Sequence, residues 1–303
     1  MLSILPLLLG LLLQNPAAPH APSYVPNRVF DTAAGKFVDF EGMVAELAVT
    51  DVVFVGEQHD DANTHRLELA ILEGLLRRRT KPVLSLEMFE RDVQPTLDGY
   101  LAGRITEEEL MRSARPWASY STAYRGLVEL AKAHGWAVSA SNVPRPIASN
   151  VAKSGKEAVS ALSDGDRGLV ARELECPLDS YFDRFAETMG GHAAGTQTPE
   201  QQRAMTERYY WSQCVKDETM AESIASVVTK AASDPTASKP GPVVHYNGAF
   251  HSDFGQGTAE RVMRRLPGKR SVILSMLPVS DLDRLAPTPE DLKRARYLVY
   301  TVR

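Results

Sequence analysis

Five short apolar runs, separated by segments with helical patterning, constrain this chain more than any other feature of its sequence. They are Val52–Val55, Pro82–Leu86, Trp136–Ala140, Pro242–Tyr246 and Ser271–Met276. Runs this short, β-branched and bounded by turn or polar residues read as buried strands. Arg66–Arg79 lies between the first two, Gly126–His134 precedes the third, and Ala259–Leu266 lies between the last two, each with apolar residues at helical spacing. Alternation of strand and helix predicts an α/β fold, a mostly parallel open sheet with helices on both faces. Upstream, Val25–Phe40 reads as short extended pieces around a turn at Ala34-Gly35, and Glu41–Ala48 as a short helix feeding the first strand.

The gap of about 100 residues between the third and fourth runs is far longer than one crossover helix needs. Its pattern predicts helices over Lys156–Leu162, Asp166–Leu174 and Tyr181–Met189, then a long one from about Pro199 to Ala232. A second helical insertion, Val93–Arg112, follows the second strand. Together these predict a helical cap, in segments 92–134 and 145–232, within a single domain spanning 21–303. GGHAAGTQTP is rich in turn residues and reads as a mobile loop, and SDPTASKPG as a linker back to the sheet.

The first twenty residues have a different character. An apolar core, Leu2–Leu13, is followed by Gln-Asn-Pro-Ala-Ala, which reads as a signal peptide (1–20) cleaved near Ala18. The expected location is therefore exported, periplasmic or extracellular. No Lys or Arg precedes the apolar core, and no cysteine stands near its end, so a lipid anchor is not supported. With a net charge of −4 and no basic stripe, nucleic acid is excluded as an expected partner. For the two cysteines, Cys176 and Cys214, a disulfide bridge and a pair of small buried side chains both stay open.

The residues that follow the strands carry the functional signal. Gly56-Glu57-Gln58-His59 follows the first, Glu87 the second, Ser141-Asn142 the third, and Asn247-Gly248-Ala249-Phe250-His251 the fourth. In a doubly wound sheet these ends converge on one edge, where ligands bind. Imidazoles from His59 and His251 with carboxylates from Glu57 and Glu87 suit a divalent first-row metal, and a spare glutamate suits a general base. His65, in the first turn of the following helix, is either a further ligand or a partner of one. HExxH, GxSxG and the P-loop are absent, which removes those hydrolase and nucleotide classes.

In order along the chain, GEQHDDANTH, LEMFERDVQPTLDGYLAG, WASYSTAYRGLVELAKAHGWAVSASNVPR, QCVKDETMAESIA and GAFHSDFG resemble the ChaN family of haem-binding uptake proteins, within the Tiki/TraB-type superfamily. The resemblance runs from about Arg28 to Leu274 and rests chiefly on two GxxH motifs, Gly56–His59 and Gly248–His251. It implies an exported α/β protein that binds haem and serves haem or iron uptake, with a homodimer partner and outer-membrane uptake machinery as expected partners. It also implies a tyrosine ligand to iron: Tyr120 and Tyr124 are the first candidates, Tyr209 and Tyr210 the alternatives. Met111, Trp117, Phe182 and Phe185 are candidate apolar walls, and Arg115 or Arg145 the candidate partner of a propionate, with Asn142 nearby. Related branches imply the alternative, a metal-dependent hydrolase acting on peptides that uses Glu57, His59, Glu87 and His251. A scaffold that binds a partner through its cap is the third reading.

Overall fold

A computed structural model describes residues 25–190, 198–233 and 241–303. The expected signal peptide, most of GGHAAGTQTP and most of the SDPTASKPG linker lie outside the described residues. Eight strands form one sheet in the order β2-β1-β8-β7-β3-β6-β4-β5. They are β1 (Asn27–Asp31), β2 (Lys36–Val38), β3 (Val52–Glu57), β4 (Val83–Glu90), β5 (Val138–Asn142), β6 (Val243–Gly248), β7 (Ser271–Val279) and β8 (Tyr297–Val302). From β8 to β5 every pairing is parallel, whereas β1 runs antiparallel to both β2 and β8. The mostly parallel α/β expectation is met. The extended pieces around Gly35 are the β1–β2 hairpin, and β8 is an addition that pairs with β7.

Among the described residues, thirteen α-helices surround the sheet. On one face lie α1 (Phe40–Leu47), α2 (Ala62–Arg77), α3 (Gln94–Leu101), α4 (Glu107–Ser113), the single turn α5 (Tyr120–Ala123) and α6 (Arg125–His134). Then come α7 (Arg145–Ser154), the single turns α8 (Glu157–Ser160) and α9 (Asp164–Arg167), α10 (Ser180–Gly190) and α11 (Pro199–Ala232). The chain closes with α12 (Gly257–Arg265) and the single turn α13 (Asp291–Arg294). Their starts are set by local chemistry. Asp61 Oδ1 accepts from the Thr64 N–H at 2.7 Å, which begins α2 four residues earlier than apolar spacing alone suggests. A capping box from Thr198 and Gln201, with Pro199 in the first turn, begins α11. The predicted helix over Asp166–Leu174 shrinks to α9, because Arg167 donates to the carbonyls of Val170, Ala171 and Arg172 and folds that segment onto itself.

The central strand shows why the sheet is buried on both sides. Side chains alternate along a strand, and on β3 Val53 and Val55 join the core under α1, α2 and α6, whereas Val52 and Phe54 join the core under α11 and α12. Long α11 crosses the second face and packs on α7, α12 and β5. Buried Glu218 fastens it to α12, with Arg261, Arg264 and Arg265 at 3.2, 2.7 and 2.5 Å. Cys176 and Cys214 form a disulfide, which ties the irregular segment before α10 to the middle of α11. Replacing both cysteines by serine is expected to lower unfolding free energy by about 2–5 kcal/mol. Urea denaturation checks this, and titration of the native chain should find neither thiol free.

Candidate functional site

Strands β3, β6 and β4 are neighbours, and the register that pairs Glu57 with Gly248 brings their C-terminal ends level. Glu57 closes β3, Glu87 lies inside the long β4, and β6 runs through Gly248 into the turn that carries His251. Glycine is required here by contact. A Cβ on Gly248 would stand 2.6 Å from His59 Nε2, and one on Gly56 3.0 Å from the Ala249 backbone. The ends open into a cavity of about 570 Å³ with Trp117, Phe185 and Phe250 among its walls. A second cavity of about 350 Å³ shares Glu87, Trp117 and Lys216 with the first and extends toward Arg145.

Two imidazole–carboxylate pairs face this space. His251 Nδ1 meets Asp217 Oδ1 at 2.6 Å, and its Nε2 lies 3.4 Å from Glu87. Asp217 accepts in turn from Tyr181 and Thr258, each at 2.8 Å, so its carboxylate is fully committed on α11. The other pair is His59 Nδ1 with Glu57 Oε1, an oxygen that also accepts from the Tyr124 hydroxyl at 2.7 Å. The His59 side chain is 48% exposed, and its ring meets the Trp117 ring edge-on at 5.0 Å. The His251 side chain is 7% exposed. One imidazole is therefore available to a ligand, and the other is locked beneath it.

The sequence-stated set divides on this geometry. Glu57, His59, Glu87 and His251 do line one cavity. They do not surround one ion: among the described residues, the three ligand-bearing side chains whose donor atoms lie within 4.8 Å of one another are Glu57, His65 and Glu68. Tyr120 and Tyr124 are both fully buried, and the Tyr124 hydroxyl is spent on Glu57. Tyr210 is buried and donates to the Pro177 carbonyl. Tyr209 is 42% exposed on α11, one and two turns from Gln213 and Lys216, which line the cavity. Asn142 is buried and ties β5 to β4 through the Glu87 carbonyl, and Arg145 and Arg115 both pair with Glu90. Sequence reasoning missed Asp217, Tyr181 and Glu68. For Glu68 a signal existed: it sits in the apolar stripe of α2, three residues after His65 and four before Leu72.

The sequence profile described as haem-binding uptake, Tiki superfamily, ChaN matches residues 43–262. A solved structure of cofacial haem binding to ChaN of Campylobacter jejuni superposes with a TM-score of 0.67 at 17% identity, covering 91% of this chain and 97% of that one. A Bacillus cereus structural-genomics protein gives 0.48 at 9% identity, covering 86% and 90%. The type III effector HopBA1 gives 0.47 at 11% identity, covering 93% and 98%. No curated protein sequence matches the chain.

Charge in the pocket is set by competition between burial and pairing. Burial alone would strip the proton from His251, but Glu87 and Asp217 outweigh it and raise the ring to about 10. Burial likewise opposes ionisation of Glu87, and the charges of His251 and His59 hold it down at about 2. Burial also opposes the charged form of His59, but its bond to Glu57 and the charges of Glu87 and Glu57 together raise it. His251 is raised above its unfolded value, so the stability it contributes is complete below about pH 6.5 and is lost as pH climbs through about 10. The stability difference between the wild type and His251→Gln should therefore be largest near pH 6 and shrink toward pH 10. Denaturation across that range checks it, and a constant difference would contradict the charged pair.

Proposed function

The chain belongs to the haem-binding uptake family of the Tiki superfamily, ChaN, and from that premise we propose that its strand-end cavity binds haem or a related iron porphyrin. The observation that supports this most is the half-exposed His59 in an aromatic-walled cavity, with Nδ1 already held by Glu57. A carboxylate on one ring nitrogen orients an imidazole and raises the basicity of the other, the usual arrangement behind a metal-ligating histidine. We assign His59 Nε2 as the first iron ligand. Tyr209, the exposed phenol on the face of α11 that carries Gln213 and Lys216, is the second residue that would hold iron. Trp117, Phe185 and Phe250 supply apolar contact, and Lys216 and Arg184 supply cations for propionates.

Export and service in iron or haem uptake belong to the same reading, supported by the apolar run Leu2–Leu13 and by the family. A second copy of the chain is the proposed cover for the open side of the cavity, with outer-membrane uptake machinery as the source or recipient of haem. No separate hydrolytic reading is put forward, since the family match supports haem binding.

Hemin titration of the chelator-treated chain, followed in the Soret band, tests the proposal. Saturation at a simple ratio is expected, with affinity reduced at least tenfold in His59→Ala and with the spectrum altered in Tyr209→Phe. Tyr120→Phe should leave both unchanged. Protonated His59 cannot bind iron, so affinity should fall as pH is lowered through its raised pKa. A non-saturating rise that is equal in every variant would overturn the reading.

A further inference from the structure

We propose that Glu57, His65 and Glu68 form a buried site for one divalent transition-metal ion beneath the cavity, separate from the haem ligand and independent of that reading. The argument begins with the tautomer of His65. Its Nε2 lies 3.2 Å from the His59 carbonyl, which can only accept, so Nε2 carries a proton. A neutral ring then turns the Nδ1 lone pair toward Glu68 Oε2 at 3.1 Å and Glu57 Oε2 at 3.4 Å. A lone pair facing two carboxylates in the interior is repulsive unless a cation stands among them.

A single proton on the ring does not complete the site. On Nδ1 it bonds to Glu68, and Glu57 Oε2 and Glu68 Oε1 are still buried without a hydrogen-bond donor. Glu57 is 2% exposed and Glu68 fully buried, so neither oxygen has recourse to solvent. Protons complete it only as a pair, one on Nδ1 and one shared between the two carboxyls, whereas one divalent ion balances both carboxylates and accepts the imidazole nitrogen. The spacing fits as well. Ligands at about 2.0–2.1 Å from a tetrahedral ion stand about 3.3 Å apart, close to the 3.1 and 3.4 Å separations found here.

The local fold presents the ligands in a way that suits an ion. His65 and Glu68, three residues apart, share one face of α2, and the first turn of that helix is fixed by the Asp61 cap. Glu57 arrives from the end of β3 and uses its two oxygens differently. Oε1 serves His59 and Tyr124, whereas Oε2 turns toward His65. The Nε2–H to carbonyl bond on His65 is the support that metal-bound imidazoles ordinarily have. One nitrogen and two carboxylates suit zinc, manganese or iron in the divalent state.

The test uses Zn²⁺ and Co²⁺ as probes on the chelator-treated chain without haem. Calorimetry should give one ion per chain, and X-ray absorption should show one imidazole with oxygen donors. Glu68→Gln, nearly isosteric, should weaken binding at least tenfold, while His251→Ala should leave it unchanged. Absence of stoichiometric binding, two imidazoles around the ion, or loss in His251→Ala with retention in Glu68→Gln would overturn the proposal. If Glu68→Gln does not fold, the imidazole count in the wild type decides alone.

Discussion

The Glu57 carboxylate is the interaction on which the site depends. It stands, almost wholly buried, at the end of the central parallel strand, where solvent cannot stabilise its charge. Desolvation acts to protonate it, and the neighbouring imidazoles of His59 and His65 outweigh that and hold it ionised. In return it fixes the half-exposed His59, anchors Tyr124 beneath the cavity floor and faces His65 on α2. Removing it would leave two imidazoles and a phenol without their common partner. A carboxylate in this place is tolerable only because the strand ends, the α2 cap and the α5–α6 corner all deliver polar atoms to it.

The sheet and the cap divide the remaining work. Parallel strands β3, β6 and β4 bring Glu57, Gly248 and Glu87 to one edge, as expected of an open α/β sheet. The cap contributes what the sheet cannot. From α11 comes Asp217, which locks His251, together with Gln213 and Lys216 along the cavity wall. From α10 come Tyr181, which secures Asp217, and Phe185 and Arg184, which close the other side. The Cys176–Cys214 bridge ties the segment before α10 to α11 next to Gln213. The strand ends thus supply the chemistry, and the cap supplies the shape and aromatic surface that an extended planar ligand requires.

Much of this was legible in the sequence, for reasons that can be named. The five parallel strands β3 to β7 stand out because strands buried on both faces are continuous apolar runs, and His59, Glu57, Glu87 and His251 follow from reading what succeeds each run. Strand β8 was harder to see, since only the single turn α13, not a full crossover helix, stands between YLVYTV and β7. Tyr120 and Tyr124 look suited to iron in WASYSTAYR, yet their depth depends on α5 and α6 folding against β3 and α2, and spacing does not encode that. Asp217 was hidden because a buried aspartate and a solvated one look alike on a helix of 34 residues with exposed faces. Glu68 was legible in principle, as a glutamate interrupting an apolar stripe one helical turn from a histidine.

The central claim is that the cavity over His59 receives an iron porphyrin. The most direct measurement is a crystal structure of the chain grown with hemin. The account predicts porphyrin density between α10 and α11, stacked near Trp117 and Phe250, with iron on His59 Nε2. Hemin bound elsewhere on the surface, or density in the cavity with iron remote from His59, would contradict it.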